Sequence, residues 1–389
     1  MSTFRLEIPT KLFFGPGVLG ELPAAVRNMG RRALIVTGKN SVRRTGVLDK
    51  VVGLLQEAAI ESVIFEQITP NPLSSQVKLG VQVLKANGCD LVVGLGGGSA
   101  VDAAKAIAMC AVNPGEITDY QPGGSLAETI PTRSLPVVAI VTTAGTGTEI
   151  NHFLVITNDQ TLEKPGIGFP CNYPTVGIVD PELMLTMPPT ITADTGVDVL
   201  FHALEAYVSK GANLFSDLIA TQAIKLVVNY LERVIADGAD LEARTKLAWA
   251  STLAGLAIDI AGTVVIHSAA HPISGRLDKT HGQTLAALGV AYLRHNQAAN
   301  PEKFATLAQL LGSPEDGLPS VDLAAKSPDA LRSFLQKVGR DITLSSLGVT
   351  PELIPTLVAD TFRTMSGGLE NNPKPVTPTD LERLYRESL

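Results

Sequence analysis

A change of rhythm halfway along the chain constrains its fold more than any other feature. In the first half, short β-branched runs occur at Ala33–Thr37 (ALIVT), Ser62–Phe65 (SVIF), Leu91–Leu95 (LVVGL), Val137–Thr142 (VVAIVT) and Val176–Val179 (VGIV). Helical spacing separates them, at Val47–Leu55, Ser74–Ala86 and Ala100–Met109. The runs are apolar throughout rather than alternating, as strands covered on both faces require. Strand, helix, strand, helix predicts a parallel sheet between two helical layers. After Asp180-Pro181 no convincing strand remains. Amphipathic segments take over at Ala193–Ser209, Leu214–Ala236, Leu241–Ile258, Pro301–Leu311 and Ser327–Gly339, and they predict an all-helical domain. The prolines of Pro181–Pro189 (PELMLTMPP) mark the boundary. The expected division is an α/β domain over 1–184 and an all-α domain over 185–389.

Length allows one very large unit or two packed domains. The chain has 389 residues, of which 45% are apolar and 18% charged, which excludes a disordered or fibrous protein. A net charge of −7 with no basic run argues against nucleic acid or an anionic membrane as partner. The three cysteines, Cys89, Cys110 and Cys171, are scattered, so a disulfide framework is not expected. The opening MSTFRLEIPT lacks a signal-peptide pattern, and no stretch of about 18 apolar residues is free of charge. A reduced, cytoplasmic protein is the expectation.

Two turns follow buried strands. In Leu91–Lys105 (LVVGLGGGSAVDAAK) a strand runs into Gly96-Gly97-Gly98-Ser99 and a helix opens at Ala100. Glycines let the backbone approach a ligand, and a helix N-terminus attracts phosphate. The carboxyl end of a parallel strand is also where open α/β sheets bind ligands. The fingerprint GxGxxG fails, because Ser99 stands where its last glycine belongs, and no P-loop Gly-Lys-Ser/Thr follows. The plainer alternative is a tight turn with Ser99 as helix cap. Thr142–Glu149 (TTAGTGTE) offers hydroxyls and glycines suited to a ribose or pyrophosphate, or simply a Thr/Gly loop.

Histidine is rare here, with six in the chain, yet His202, His267, His271 and His281 concentrate in its second half. Asp198 and His202 are spaced i, i+4 in TGVDVLFHALEAY, and His267 and His271 repeat that spacing in VIHSAAHP. One carboxylate and three imidazoles suit Fe²⁺ or Zn²⁺. The alternatives are an ordinary helical Asp/His pair, and a helix end or kink at His271-Pro272. Apolar neighbours such as Ala203, Leu204, Val265 and Ile266 imply burial, and buried ionisable groups need partners.

At these residues the chain resembles the iron-containing, group III alcohol dehydrogenases. The likeness extends from TKLFFGPG to VTPTDLERLYRESL. Its specific parts are GGGSAVDAAK (Gly96–Lys105), TTAGTGTE (Thr142–Glu149), TGVDVLFHALEAY (Thr195–Tyr207) and HSAAHP with THG (His267–Gly282). The resemblance implies a Rossmann-like dinucleotide-binding α/β domain and an all-α domain, in a dehydroquinate synthase-like architecture with the active site in the cleft between them. It implies Fe²⁺, or Zn²⁺ in some relatives, held by Asp198, His202, His267 and His281. It places His271 near the nicotinamide as a proton relay, and Gly96, Gly97, Gly98 and Ser99 on the cofactor pyrophosphate. Asp102, Thr142, Thr143, Thr146 and Lys164 match positions lining the cofactor, and Asn71 a loop near the adenosine. One departure stands out. Relatives that prefer NAD often carry an acidic residue after the first Rossmann-like strand, and here Gly38 occupies that place, close to Lys39, Arg43 and Arg44. That favours NADP(H) over NAD(H), unless these cations are only a solvated helix start.

The implied reaction is reversible hydride transfer between a primary alcohol and a nicotinamide. Phe153, Phe201 and Leu253 are candidates for an apolar pocket suited to a short aldehyde or small diol. Related readings are a zinc-dependent glycerol dehydrogenase, a metal-free maleylacetate reductase, which the full Asp/His set disfavours, and a non-catalytic nucleotide-binding relative. The family often forms homodimers through an N-terminal strand. Phe4–Ile8 and Leu12–Phe14 are candidates for it, or for packing within one chain.

Overall fold

A computed structural model describes residues 3–313 and 317–389. The chain divides into two compact units, one of Glu7–Met187 and the other built on Pro188–Leu389. In the first unit the described residues form strands β1 (Lys11–Phe14), β2 (Arg32–Gly38), β3 (Glu61–Ile68), β4 (Leu91–Gly96), β5 (Val137–Val141), β6 (Phe153–Val155), β7 (Gly166–Gly168) and β8 (Val176–Val179). Six of them make one parallel sheet in the order β1-β8-β5-β4-β2-β3, while β6 and β7 pair antiparallel.

Helices α1 (Leu22–Val26), α2 (Ser41–Arg44), α3 (Val47–Glu57), α4 (Ser74–Ala86) and α5 (Gly98–Cys110) accompany the sheet. Successive strand residues point to opposite faces, and both faces are covered. Leu34, Val36 and Val92 enter a core with Val77 and Leu84 of α4 and Ala103 and Ile107 of α5. Ala33, Ile35, Leu91 and Val93 enter a second core with Leu22 and Val26 of α1 and Val51 and Leu55 of α3. The uninterrupted apolar runs follow from that double burial.

At three places in this unit the structure decides between, or adds to, the sequence expectations. Leu12–Phe14 lies in an edge strand paired with β8 of its own chain, Phe13 opposite Ile178. The β6/β7 pair escaped the sequence reading because each strand is three residues long. Helix α5 starts at Gly98, with Gly97 as its cap, so Ser99 lies inside the helix rather than capping it.

The second unit is helical: α6 (Pro189–Val208), α7 (Leu214–Ala236), α8 (Leu241–Ala261), α9 (Val265–Leu277), α10 (His281–Asn296), α11 (Pro301–Leu310), α12 (Ser320–Ala324), α13 (Ser327–Lys337), α14 (Ile354–Thr364), α15 (Ser366–Glu370) and α16 (Pro378–Glu387). Helix α6 is buried along most of its length, from Thr192 to Val208, with Thr195 less so. By length and composition α7 could cross a membrane. Its Ala220, Ala223, Ile224, Val227 and Leu231 are buried in this unit, as in the core helix of a folded protein. Periodicity does not announce α9 and α10 as whole helices, since Pro272 interrupts the first and Gly282 and Gly289 the second. Tertiary packing overrides those weak propensities.

Candidate metal centre and nucleotide cradle

In the α/β unit the two predicted turns face each other. Gly96 takes φ 150°, a backbone state open chiefly to glycine, and its carbonyl accepts from the Thr142 amide at 2.8 Å. A Cβ on Gly97 would lie 3.1 Å from Thr143 Oγ1, and one on Gly98 only 2.6 Å from Thr146 Cγ2. Only glycine lets the first turn of α5 approach the Thr142–Thr146 loop this closely. The resulting cradle pairs a helix N-terminus with small hydroxyl residues, which is chemistry suited to a pyrophosphate.

Asp102 and Lys105 hold this loop from behind. The Thr148 hydroxyl donates to Asp102 Oδ1 at 2.7 Å, and the Val155 amide donates to Asp102 Oδ2 at 3.0 Å. Lys105 Nζ, fully buried, donates to Thr148 Oγ1 at 2.7 Å and to the carbonyls of Asn151 and Phe153, both at 2.9 Å. Burial raises the Asp102 carboxyl above its ordinary range, opposed by Lys105, Thr148, Val155 and Lys164. The geometry makes Asp102 an internal anchor of the loop.

The other nucleotide candidates fall in two groups. Lys164 Nζ donates to Asn71 Oδ1 at 2.6 Å, and Asn71 holds φ 53°, which Asn tolerates better than most residues. At the end of β2, Gly38 is followed by exposed Lys39 and Arg44, while Arg43 pairs with Glu66 at 2.8 Å.

The helical unit gathers the histidines. Asp198, His267 and His281 each offer a ligand atom, all within 4.8 Å of one another. His202 joins them: its Nε2 lies 3.7 Å from Asp198 Oδ1, and its ring stacks on His267 with centroids 4.5 Å apart. The His271 ring lies 4.9 Å from that of His281 and 6.4 Å from that of His267. Asp198, His202, His267 and His271 are buried.

Local structure explains the convergence. The i, i+4 spacing puts Asp198 and His202 on one face of α6. Helix α9 follows a turn at Gly262, φ 71°, clipped by Asn371, whose Nδ2 donates to Ala261 O at 2.7 Å and Thr263 O at 3.0 Å. Pro272 lies inside α9, so His271 occupies mid-helix rather than a helix end. His281 opens α10. Thr280 Oγ1 donates to Asp194 Oδ2 at 2.9 Å, and Arg340 Nε donates to Asp194 Oδ1 at 2.5 Å. These bonds fix the start of α10 one helical turn along α6 from Asp198.

Sequence reasoning missed Glu205. Its Oε1 lies 2.5 Å from His267 Nδ1, and its Oε2 accepts from the amides of Val264 at 2.7 Å and His267 at 3.3 Å. Glu205 stands i+7 from Asp198 and i+3 from His202, so it shares their face of α6. That spacing was the available signal. Phe201, a candidate for the substrate pocket, is instead fully buried in the helical core, against Gly289 and near Leu331. The remaining histidines lie elsewhere: His295 bonds Glu387 at 2.9 Å, and His152 packs on Phe153 and Tyr173.

The donor set fits a divalent cation. His267 Nε2 is buried and forms no hydrogen bond, the state expected of a nitrogen reserved for a ligand. Burial disfavours a charged His267, yet the carboxylates of Glu205 and Asp198 outweigh it and hold the imidazole up to about 9. The surroundings therefore favour positive charge.

A glycine turn suited to phosphate at the ends of parallel strands and a buried carboxylate-imidazole cluster suited to a divalent cation are features that a metal-dependent, nucleotide-linked oxidoreductase would need. Comparisons with known proteins agree. The model of the iron-containing alcohol dehydrogenase family matches residues 9–181, and that of the family's C-terminal domain matches 192–389. The 1,3-propanediol dehydrogenase of Klebsiella pneumoniae is 36% identical, over 99% of this chain and 98% of its own. The NAD-dependent methanol dehydrogenase of Bacillus methanolicus is also 36% identical, over 98% and 99%. Among solved structures, the archaeal Red Sea brine pool alcohol dehydrogenase ADH/D1 superposes with a TM-score of 0.96 at 37% identity, covering 100% of both chains. The chain belongs to the iron-containing alcohol dehydrogenase family. Membership implies a metal and a nicotinamide cofactor.

Proposed function

We propose that this alcohol dehydrogenase interconverts a small primary alcohol or diol and its aldehyde, using Asp198, His202, His267 and His281 to hold Fe²⁺. The observation that carries this reading is the gathering of those four side chains, with a His267 Nε2 that is buried and forms no hydrogen bond. The same donors suit Zn²⁺, so a glycerol dehydrogenase-like zinc enzyme is the neighbouring reading, separated by metal analysis. Relatives named for propanediol and methanol support a small hydroxylic substrate.

When bound, the cation would supply Lewis acidity to the substrate oxygen, and the nicotinamide the hydride. The protein's own residues do the rest. The amides opening α5 and the hydroxyls of Thr142, Thr143 and Thr146 bind and orient the dinucleotide, while Asn71 and Lys164 brace its neighbouring loop. The His271 imidazole, beside His281, carries the alcohol proton towards solvent. Replacing His271 with Ala is expected to flatten the pH profile of turnover; an unchanged profile would remove the relay role.

Gly38, with no carboxylate to repel a 2′-phosphate, and exposed Lys39 and Arg44 support NADP(H) over NAD(H). Arg43, engaged by Glu66, contributes less. A higher kcat/KM with NADPH than with NADH is the expected result, and equality would end the preference. A cytoplasmic location suits the three reduced cysteines. Exposed Phe4, Leu6 and Ile8, which precede edge strand β1, support a homodimer, testable by light scattering.

The decisive variant is His267→Ala. It is expected to lose stoichiometric metal and to lower turnover by about 100-fold or more, the upper range for disturbing a metal's outer partners. Full metal content and activity in that variant would remove the ligand assignment.

A further inference from the structure

Glu205 is fully buried, and a buried carboxylate persists only where its oxygens are satisfied. Each oxygen has a distinct task. Oε2 accepts from the Val264 and His267 amides, which open α9. Val264 itself has no side chain able to cap that helix, so Glu205 serves as the cap from α6. Oε1 faces His267 Nδ1.

A carboxylate accepts hydrogen bonds and donates none. With Oε1 against it, Nδ1 keeps its proton, so a cation that displaces the ring's other proton finds the lone pair on Nε2. That is the buried nitrogen 3.8 Å from Asp198 Oδ1. The geometry points to Glu205 as a positioning residue that fixes the tautomer and the ring plane of His267, making Nε2 a metal donor. The inference rests on the metal reading proposed above and extends it to a residue outside the ligand set. Partners of this kind tune metal affinity by about 10–100-fold.

Glutamine at this position makes the inference testable. Its amide has one accepting oxygen, so it can cap α9 or accept from Nδ1, not both. With the oxygen on the cap, the NH₂ faces Nδ1, turns that nitrogen into an acceptor and moves the ring proton to Nε2, where it blocks ligation.

Full-length wild type, Glu205→Gln and Glu205→Ala would be titrated with Co²⁺ against a competing chelator. The visible spectrum of the bound ion and thermal unfolding of the metal-free proteins would be recorded in parallel. The expected result is Co²⁺ affinity about 10–100-fold weaker in both variants, with an altered spectrum. In Glu205→Gln the metal-free unfolding midpoint should stay near wild type, which a purely structural role would not produce. Affinity and spectrum within twofold of wild type in Glu205→Gln would overturn the positioning role while leaving the metal site intact. Should Glu205→Ala fail to fold, Glu205→Gln still decides the question. A wild-type protein that binds no Co²⁺ would overturn the metal reading itself, and the positioning role with it.

Discussion

At the scale of single residues, the proposed nucleotide cradle depends on missing side chains and the proposed metal centre on particular ones. A Cβ at Gly98 would meet Thr146 at 2.6 Å. Gly98→Ala must push α5 and the threonine loop apart, at a cost of about 1–3 kcal/mol. The expected outcome is a raised KM for the dinucleotide with metal content unchanged, read by steady-state kinetics and metal analysis. A wild-type KM would mean that the loop does not shape the nucleotide site. Much at this scale was legible in the sequence, because chemistry at fixed spacing is conspicuous: Asp198 with His202, and His267 with His271, announce their shared faces. Glu205 was equally legible by its i+7 spacing, but glutamate on a helix is so common that only its contact with His267 Nδ1 sets it apart. Asp102, expected from its motif to line the cofactor, also accepts from Thr148 and Val155 and so supports the loop, a contact the motif does not announce.

At the scale of elements, the site depends on where helices begin. His267 lies in the first turn of α9 and His281 is the first residue of α10, so a small shift of either start moves a donor. Gly282 makes the second start possible, since a Cβ there would lie 2.0 Å from the Asp194 carbonyl oxygen. Gly282→Ala is expected to destabilise the protein by about 1–3 kcal/mol and to weaken metal binding together with it. Urea unfolding and chelator competition would check both; weakened stability with normal metal affinity would show that the α10 start does not set His281. The sheet strands were the most legible elements, because burial on both faces leaves an unbroken apolar run. Helices α9 and α10 were the least legible. Pro272, Gly282 and Gly289 lower their helix propensity, and each glycine is present because backbone or ring atoms crowd it, which single-sequence patterning does not register.

At the scale of the whole molecule, the two kinds of chemistry are assigned to two units of different construction. In the function proposed, the α/β unit supplies the phosphate cradle at its strand ends and the helical unit the metal donors. Each ligand should then stabilise its own region. A cation at 100 times its dissociation constant contributes about 2.7 kcal/mol. Hydrogen exchange with and without Co²⁺ is expected to show added protection in α6, α9 and the start of α10. The dinucleotide should protect 96–99 and 142–148 instead. Metal-dependent protection centred on the α/β unit would contradict the division of labour.

The most direct test of the central claim is an anaerobic assay of the Fe²⁺-loaded protein for NADPH and NADH oxidation against a panel of short aldehydes. The expected result is aldehyde-dependent oxidation that disappears on chelation and returns with Fe²⁺. Stoichiometric Fe²⁺ and bound dinucleotide with no turnover on any aldehyde would contradict it.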